Sequence, residues 1–145
     1  MRAGQIMIRK LSVASPDDTV ERAATLMARV NAGILPVVSA GRMVGLVTDR
    51  DIVVRAVAAG KPTATCVVDE IMTEEVHYCL EDDTVDDVAR RMGALGVRRM
   101  PVCDRGGALV GLISLDDVAA HVQGDHLLAD ALRKIAQVSR APRSV

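Results

Sequence analysis

Apolar residues along the first half of the chain occur in two kinds of pattern, helical spacing and short continuous runs. One set recurs at the spacing of one helix face: Val20, Ala23, Ala24, Met27 and Val30. It predicts an amphipathic helix near residues 19–31. Short apolar runs of strand length, bounded by turn residues, occupy residues 11–14, 34–38 and 43–47. A second helix is predicted from about residue 49 to residue 59, so the predicted order is β-α-β-β-α.

The same order of elements is written a second time. A shift of 65 positions aligns residues 17–20 with 82–85, and after the extra Gly107 a shift of 66 aligns residues 45–51 with 111–117. The second copy predicts strands and helices in these places: 76–80, 85–92, 99–103, 109–113 and 115–122. An internal duplication over nearly the whole chain indicates two packed repeats.

The duplication divides the chain into four predicted parts. Repeat one spans residues 1–62, a linker spans 63–68, repeat two spans 69–124, and a C-terminal helix with a flexible tail spans 125–145. Three apolar residues of the last part stand at i, i+4 and i+7: Leu128, Leu132 and Ile135. They predict a short amphipathic helix that packs on its own domain or on a dimer partner.

A hydroxyl residue followed three positions later by an aspartate ends the last strand of each repeat. The pairs are Thr48 with Asp51 and Ser114 with Asp117. Such a pair can cap a helix by satisfying its free backbone N–H groups. It can equally place a phosphate near a helix N-terminus, with the aspartate accepting hydrogen bonds from a ribose. Both interpretations remain open from the residues alone.

Composition excludes several classes of function. The 145 residues carry a net charge of −1 and include one aromatic residue, Tyr78. A near-neutral chain without aromatic platforms argues against nucleic-acid binding. No apolar run approaches the ~20 residues that span a bilayer, and no signal peptide is apparent, so no membrane role is expected. The three cysteines form no disulfide framework, which favours reduced thiols in the cytoplasm.

Metal binding and catalysis find little support in the sequence. His77 and Cys79 have the spacing that places two side chains on one face of a strand, but no second pair stands at metal-ligand spacing. Nucleophilic catalysis requires a base beside the nucleophile, and no such signature occurs. We therefore predict no metal, no required cofactor and no enzymatic activity.

The repeat resembles a CBS domain, the module named after cystathionine beta-synthase. The resemblance covers about residues 4–123 and is carried by these segments: Asp17-Asp18-Thr19-Val20, Pro36-Val37 and Gly45-Leu-Val-Thr-Asp-Arg-Asp51, with their second copies. In length and layout the chain is similar to stand-alone bacterial proteins with two CBS domains. The resemblance implies an α/β (α+β) fold of two tandem β-α-β-β-α repeats related by a pseudo-twofold axis.

The resemblance also implies a ligand. Family pairs bind adenosine compounds (AMP, ADP, ATP, NAD or S-adenosylmethionine) in two clefts, and commonly form homodimers. Carried over by motif, the ribose would meet the two motif aspartates and the phosphate the two motif hydroxyls. The implied nucleotide-binding residues in repeat one are Val13, Ile34, Pro36, Thr48, Arg50 and Asp51. Those in repeat two are Tyr78, Arg98, Arg99, Met100, Pro101, Ser114 and Asp117.

The two sites are expected to differ. Asp116 stands in repeat two where repeat one has Arg50, and an added acid competes with phosphate. We therefore expect the Thr48/Asp51 site to bind phosphate better, with Arg98 or Arg99 reaching it as a clamp or, alternatively, ending a solvated strand.

The expected function is a regulatory module that binds an adenine nucleotide as regulatory ligand and signals to an unknown effector protein. The alternatives are a structural dimerisation module without ligand and an enzyme acting on a nucleotide.

Overall fold

The computed structural model describes residues 1–139. Helices are α1 (Ala3–Ile6), α2 (Val20–Val30), α3 (Asp49–Asp51), α4 (Val85–Leu95), α5 (Leu115–Ala119) and α6 (Asp125–Ser139). Strands are β1 (Ile34–Ser39), β2 (Arg42–Thr48), β3 (Cys79–Leu80), β4 (Arg99–Cys103) and β5 (Leu109–Ser114). Within these residues no helix is long and apolar enough to cross a bilayer. Most of the predicted tail, residues 140–145, lies outside the described part of the chain.

The chain folds into two compact units. In each repeat, the leading segment, which precedes the first predicted strand, packs with the other repeat. The first unit is Leu11–Val76, and the second joins Met1–Lys10 to the chain from His77 onward. The first ten residues, which precede repeat one in sequence, therefore pack with repeat two. This division differs from the predicted boundaries at 62 and 69, because sequence similarity records the order of the copies and not which copy a leading segment packs against.

Each leading segment is fastened to the last strand of its unit by the same hydrogen bonds. Ile8 and Leu112 exchange both backbone hydrogen bonds, at 2.8 and 3.0 Å, and Thr73 and Leu46 do the same at 2.8 and 2.9 Å. The residue of the last strand beside this contact must lack a side chain. A Cβ on Gly45 would lie 2.8 Å from the Thr73 carbonyl oxygen, so the glycine of the repeated motif serves this close approach.

The first unit is built on the antiparallel hairpin of β1 and β2, with α2 against it. Thr19 caps α2 by accepting a hydrogen bond from the Arg22 N–H at 3.1 Å. The buried core residues of the first unit include Val20, Met27, Leu35, Val37, Val47 and Ile71.

The predicted first strand of each repeat is shorter than expected. Ala14 makes a single parallel bridge to Val37, and β3 has only two residues. In each parallel ladder the next backbone donor would be Pro36 or Pro101, which has no N–H. The ladder therefore cannot extend towards residues 11 or 76.

The predicted helix 49–59 is also different in detail. It begins as α3 and continues as a π-helix, Ile52–Val57, in which the Ala58 N–H donates to the Val53 carbonyl. Three valines of this π-helix are exposed: Val53, Val54 and Val57.

In the second unit, β4 pairs with β5 and with β3, and α6 packs on α4. The predicted C-terminal helix is confirmed, and it packs on its own unit. Its buried face is Leu127, Ala131 and Ile135, whereas the predicted face residue Leu132 is 41% exposed. The two helices approach so closely that a Cβ on Gly93 would lie 3.0 Å from the Ala131 Cα.

Candidate functional site

The two hydroxyl-aspartate pairs form reciprocal caps, as the capping interpretation predicts. The Thr48 N–H donates to Asp51 Oδ2 at 3.0 Å, and the Asp51 N–H donates to Thr48 Oγ1 at 3.0 Å. In repeat two the Ser114 N–H donates to Asp117 Oδ2 at 2.8 Å, and the Asp117 N–H donates to Ser114 Oγ at 3.2 Å. Both aspartates thus have a structural role, and their remaining oxygen atoms decide what else they can bind.

The carboxylate of Asp51 is already occupied by its own unit. Asp51 is 7% exposed, and the Thr73 hydroxyl lies 3.2 Å from each of its oxygens. Arg55 Nε lies 3.8 Å from Oδ1, and the same guanidinium donates to the Met72 carbonyl at 3.2 Å. Asp51 therefore anchors the segment that ends in Thr73 to the first unit.

Asp117 stands in the matching place of repeat two without these partners. Ile8 replaces Thr73, and His121 replaces Arg55. The His121 Nδ1 lies 2.9 Å from the backbone carbonyl of Asp117 and leaves its carboxylate untouched. Asp117 is half-buried, and within residues 1–139 its Oδ1 accepts no hydrogen bond. This oxygen is available to a ligand.

A cavity of about 110 Å³ lies beside the Ser114 cap. Its lining consists of Arg98, Arg99, Ser114, Leu115 and Asp116. Both arginines are exposed and have no ion-pair partner among the described residues. Two unpaired guanidinium groups beside a hydroxyl suit a phosphate, which they can bind through paired hydrogen bonds.

The corresponding position of repeat one is filled by an acidic side chain. Asp49 stands where repeat two has Leu115, and Gly33 stands where it has Arg98. A Cβ on Gly33 would lie 2.9 Å from Asp49 Oδ2, so the Asp49 carboxylate lies directly over Gly33. The backbone is otherwise alike: the Asp49 N–H donates to the Gly33 carbonyl at 2.9 Å, and Leu115 donates to Arg98 at 2.8 Å.

The other predicted ligand residues fall into two environments. Val13, Arg50 and Tyr78 are exposed, and Ile34 is half-buried beside Thr48 in the hairpin. Pro36, Met100 and Pro101 are buried, and the Met100 side chain is part of the second unit's core. Met100 therefore contributes packing in this conformation. Val13 lines a cavity of about 290 Å³ beside α2 together with Arg22, Leu26 and Arg29.

His77 and Cys79, the two residues considered as a metal-binding pair, differ in their exposure to solvent. His77 is exposed, whereas Cys79 is fully buried and its thiol lies 3.7 Å from the Pro101 carbonyl oxygen. Within residues 1–139 no three His, Cys, Asp or Glu side chains converge as metal ligands.

Burial protects the thiols, and this yields a first prediction. Burial, the main cause, raises the pKa of Cys79 to about 11, and it also raises the pKa of Cys103. About one Cys79 thiol in a thousand is then ionised near pH 8, so a thiol reagent should label the native protein slowly and all three cysteines rapidly in denaturant. The native rate should rise with pH, because the thiolate fraction grows up to the raised pKa. Fast labelling of Cys79 at neutral pH would contradict this account.

Three residues that distinguish the sites were missed in the sequence: Asp49, Arg55 and Thr73. Comparison of the repeats at every position, rather than only at matching ones, would have identified Asp49 opposite Leu115. Thr73 could not have been identified in this way, because its contact with Asp51 depends on the exchange of leading segments.

A model of the CBS domain matches the chain twice, at residues 3–57 and 68–124. The CBS domain-containing protein YhcV of Bacillus subtilis is 33% identical over 130 residues, which are 90% of this chain and 91% of the relative. Two solved structures extend the comparison. One is the CBS domain pair of protein MJ0100 in complex with 5′-methylthioadenosine and S-adenosyl-L-methionine. It has a TM-score of 0.71 and 28% sequence identity, and the match covers 83% of this chain and 94% of that chain.

The other structure is Hypoxic Response Protein I with two coordinated zinc ions. It has a TM-score of 0.76 and 29% identity, and covers 85% of this chain and 100% of that one. The repeated β-α-β-β-α order, the paired caps and the two family matches lead to one conclusion: the chain belongs to the CBS domain family and contains two tandem CBS repeats.

Proposed function

We propose that this protein is a regulatory module that binds an adenosine-containing ligand beside the Ser114–Asp117 cap. The observation that supports this most is the cavity lined by Arg98, Arg99 and Ser114, since the capping partner of Ser114, Asp117, keeps one carboxylate oxygen without a partner among the described residues. The adenosine ligands of the MJ0100 pair support the ligand class.

In this proposal each group has a distinct role. Asp117 Oδ1 accepts hydrogen bonds from the ribose hydroxyls, and Ser114 with the two arginines binds a phosphate or another polar group attached to the ribose. Asp51 is a poorer ribose acceptor, because its carboxylate is buried and already contacted by Thr73 and Arg55. This reverses our expectation that the Thr48/Asp51 site is the better one.

The signal would be a shift between conformations and not a chemical reaction. A ligand that binds one conformation more tightly than another increases the population of the first by its difference in affinity. An effector protein of unknown identity would then recognise the altered surface. The match to the CBS domain-containing protein YhcV, which covers 91% of that relative, supports a module formed by the two repeats.

We also propose that two copies associate as a homodimer. Support comes from the exposed valines of the π-helix, Val53, Val54 and Val57, which are 58%, 48% and 58% exposed. Repeat two has Ala119, Ala120 and Gln123 at these positions, so this apolar face is specific to repeat one. Sedimentation of Val54→Asp beside the unchanged protein tests it, since a charge in an apolar interface shifts a dimer towards monomer.

The ligand site is tested by Asp117→Asn with Asp51→Asn as the matched variant. The amide oxygen of the substituted side chain can still accept the Ser114 N–H, so the cap is retained while the charged acceptor is lost. We expect calorimetry with AMP and adenosine to show about tenfold weaker binding for Asp117→Asn, since a hydrogen bond to a charged group contributes about 1.5–3 kcal/mol. Asp51→Asn should change affinity by less than about threefold.

The dimerisation module without ligand predicts a different result. A ligand at 100 times its dissociation constant adds about 2.7 kcal/mol to stability, so a bound adenosine compound must raise the melting temperature. An unchanged melting temperature across AMP, ADP, ATP, NAD, S-adenosylmethionine and adenosine would favour the module that has no ligand. Equal affinity of both asparagine variants would remove Asp117 from the site.

A further inference from the structure

We infer that the two repeats distinguish adenosine ligands by charge: repeat two selects a ligand that carries phosphate, and repeat one admits only ligands without phosphate because Asp49 fills its phosphate position. This inference rests on the proposed function, and it names the ligand class of each repeat. The specificity-determining residues are Asp49 in repeat one, and Arg98 and Arg99 in repeat two.

The two repeats carry different side chains at the same backbone contact. In both repeats the first residue after the capping hydroxyl donates its N–H to the carbonyl of the residue just before the hairpin: Asp49 to Gly33, and Leu115 to Arg98. This backbone contact is therefore present in both repeats, whereas the side chains at its two ends differ. Where repeat two has an arginine side chain, repeat one has none, and the Asp49 carboxylate occupies that space.

The Asp49 carboxylate leaves no room for a side chain at Gly33. A Cβ there would approach Asp49 Oδ2 to 2.9 Å, closer than real Cβ atoms come to other atoms. The absence of a side chain at Gly33 therefore makes room for the Asp49 carboxylate. A cationic side chain cannot enter repeat one at this position while Asp49 stays in its observed place.

The net charge at the phosphate position differs between the two repeats. Arg98, Arg99 and Asp116 together give the repeat-two cavity a charge of +1. In repeat one, Asp49 and Arg50 sum to zero, and the Asp49 carboxylate lies at the position itself. Two like charges about 4 Å apart in a partly screened site repel strongly enough to weaken binding by roughly tenfold or more.

The test exchanges residues between the repeats and compares AMP with adenosine by calorimetry. In the unchanged protein we expect AMP to fill one site per chain. Arg98→Ala with Arg99→Ile should weaken AMP binding by about tenfold or more and change adenosine affinity by less than about threefold. The matched control, Arg90→Ala with Arg105→Ala, removes the same charge from exposed residues elsewhere on the second unit and should change neither affinity.

The reverse exchange tests repeat one. Asp49→Leu copies Leu115 and should allow AMP to fill a second site per chain, and Asp49→Asn should do so more weakly because it keeps the bulk and removes the charge. Adenosine binding by each variant shows that it is folded. AMP stoichiometry that stays at one in Asp49→Leu overturns the role of Asp49.

The outcomes separate this inference from the proposed function. An unchanged ratio of AMP to adenosine affinity in the arginine variant overturns charge selection but leaves an adenosine-binding module intact. Failure of the unchanged protein to bind either compound overturns the proposed function itself. Two AMP molecules per chain before any substitution would also overturn the inference, since repeat one would then accept phosphate.

Discussion

Replacing Asp51 by alanine is expected to lower the free energy of unfolding by about 3 kcal/mol, because it removes one buried acceptor from several donors at once. The Thr48 N–H and the Thr73 hydroxyl lose this acceptor, and Arg55 loses its ion pair while it keeps its hydrogen bond to the Met72 carbonyl. The same change at Asp117 should cost only about 1 kcal/mol, the usual effect of losing a helix cap. Urea unfolding of both variants measures the difference.

Two further variants identify the source of the Asp51 effect. Thr73→Val keeps the shape and removes the hydroxyl, so it should reproduce about 1 kcal/mol of the loss. Ile8→Val, at the matching place in the second unit, has no hydroxyl to lose and is 52% exposed, so it should be nearly neutral. Equal destabilisation by Asp51→Ala and Asp117→Ala would show that the two carboxylates have the same structural role, contrary to the contacts described.

Replacing Gly93 by leucine is expected to lower the free energy of unfolding by about 2–3 kcal/mol, since overpacking of a close contact costs about 1–3 kcal/mol. The Ala131 Cα lies 3.0 Å from the place of a Cβ at Gly93, so the larger side chain must push α6 away from α4. Displacement of α6 would also expose Leu127 and Ile135.

The repeat supplies a matched control for this change. Ala28 occupies the corresponding position of α2, where it is exposed. Ala28→Leu should therefore change stability by less than about 0.5 kcal/mol. Urea unfolding followed by circular dichroism compares the two. A neutral Gly93→Leu would mean that α6 contributes little to the second unit.

Much of the architecture could be predicted from the sequence because it is local and is written twice. The helix α2 follows from apolar residues at helical spacing after the Thr19 cap, and the hairpin follows from two apolar runs around Ala40 and Gly41. The caps at Thr48 and Ser114 were predicted for the same reason, since both partners lie within three residues. Family membership followed from the order of these elements.

The surroundings of the candidate site residues could not be predicted from the sequence, because equivalent residues acquire different neighbours in the fold. Asp51 and Asp117 stand in the same motif, yet one is buried against Thr73 and Arg55 and the other keeps an oxygen without a partner among the described residues. The motif itself shows Asp116 as an added acid in repeat two, whereas the position of Asp49 over Gly33 in repeat one is seen only in the structure.

The sequence by itself determined the repeat, the order of its helices and strands, and the capped motif, since each depends mainly on residues close together in the chain. Only the tertiary structure decided which leading segment fastens each repeat, how short the first strands are, and which motif aspartate remains open. The physical reason is that these properties depend on contacts between distant residues, such as Thr73 with Asp51 and Ile8 with Leu112. The two copies of the motif are alike in sequence but have different neighbours in the folded protein.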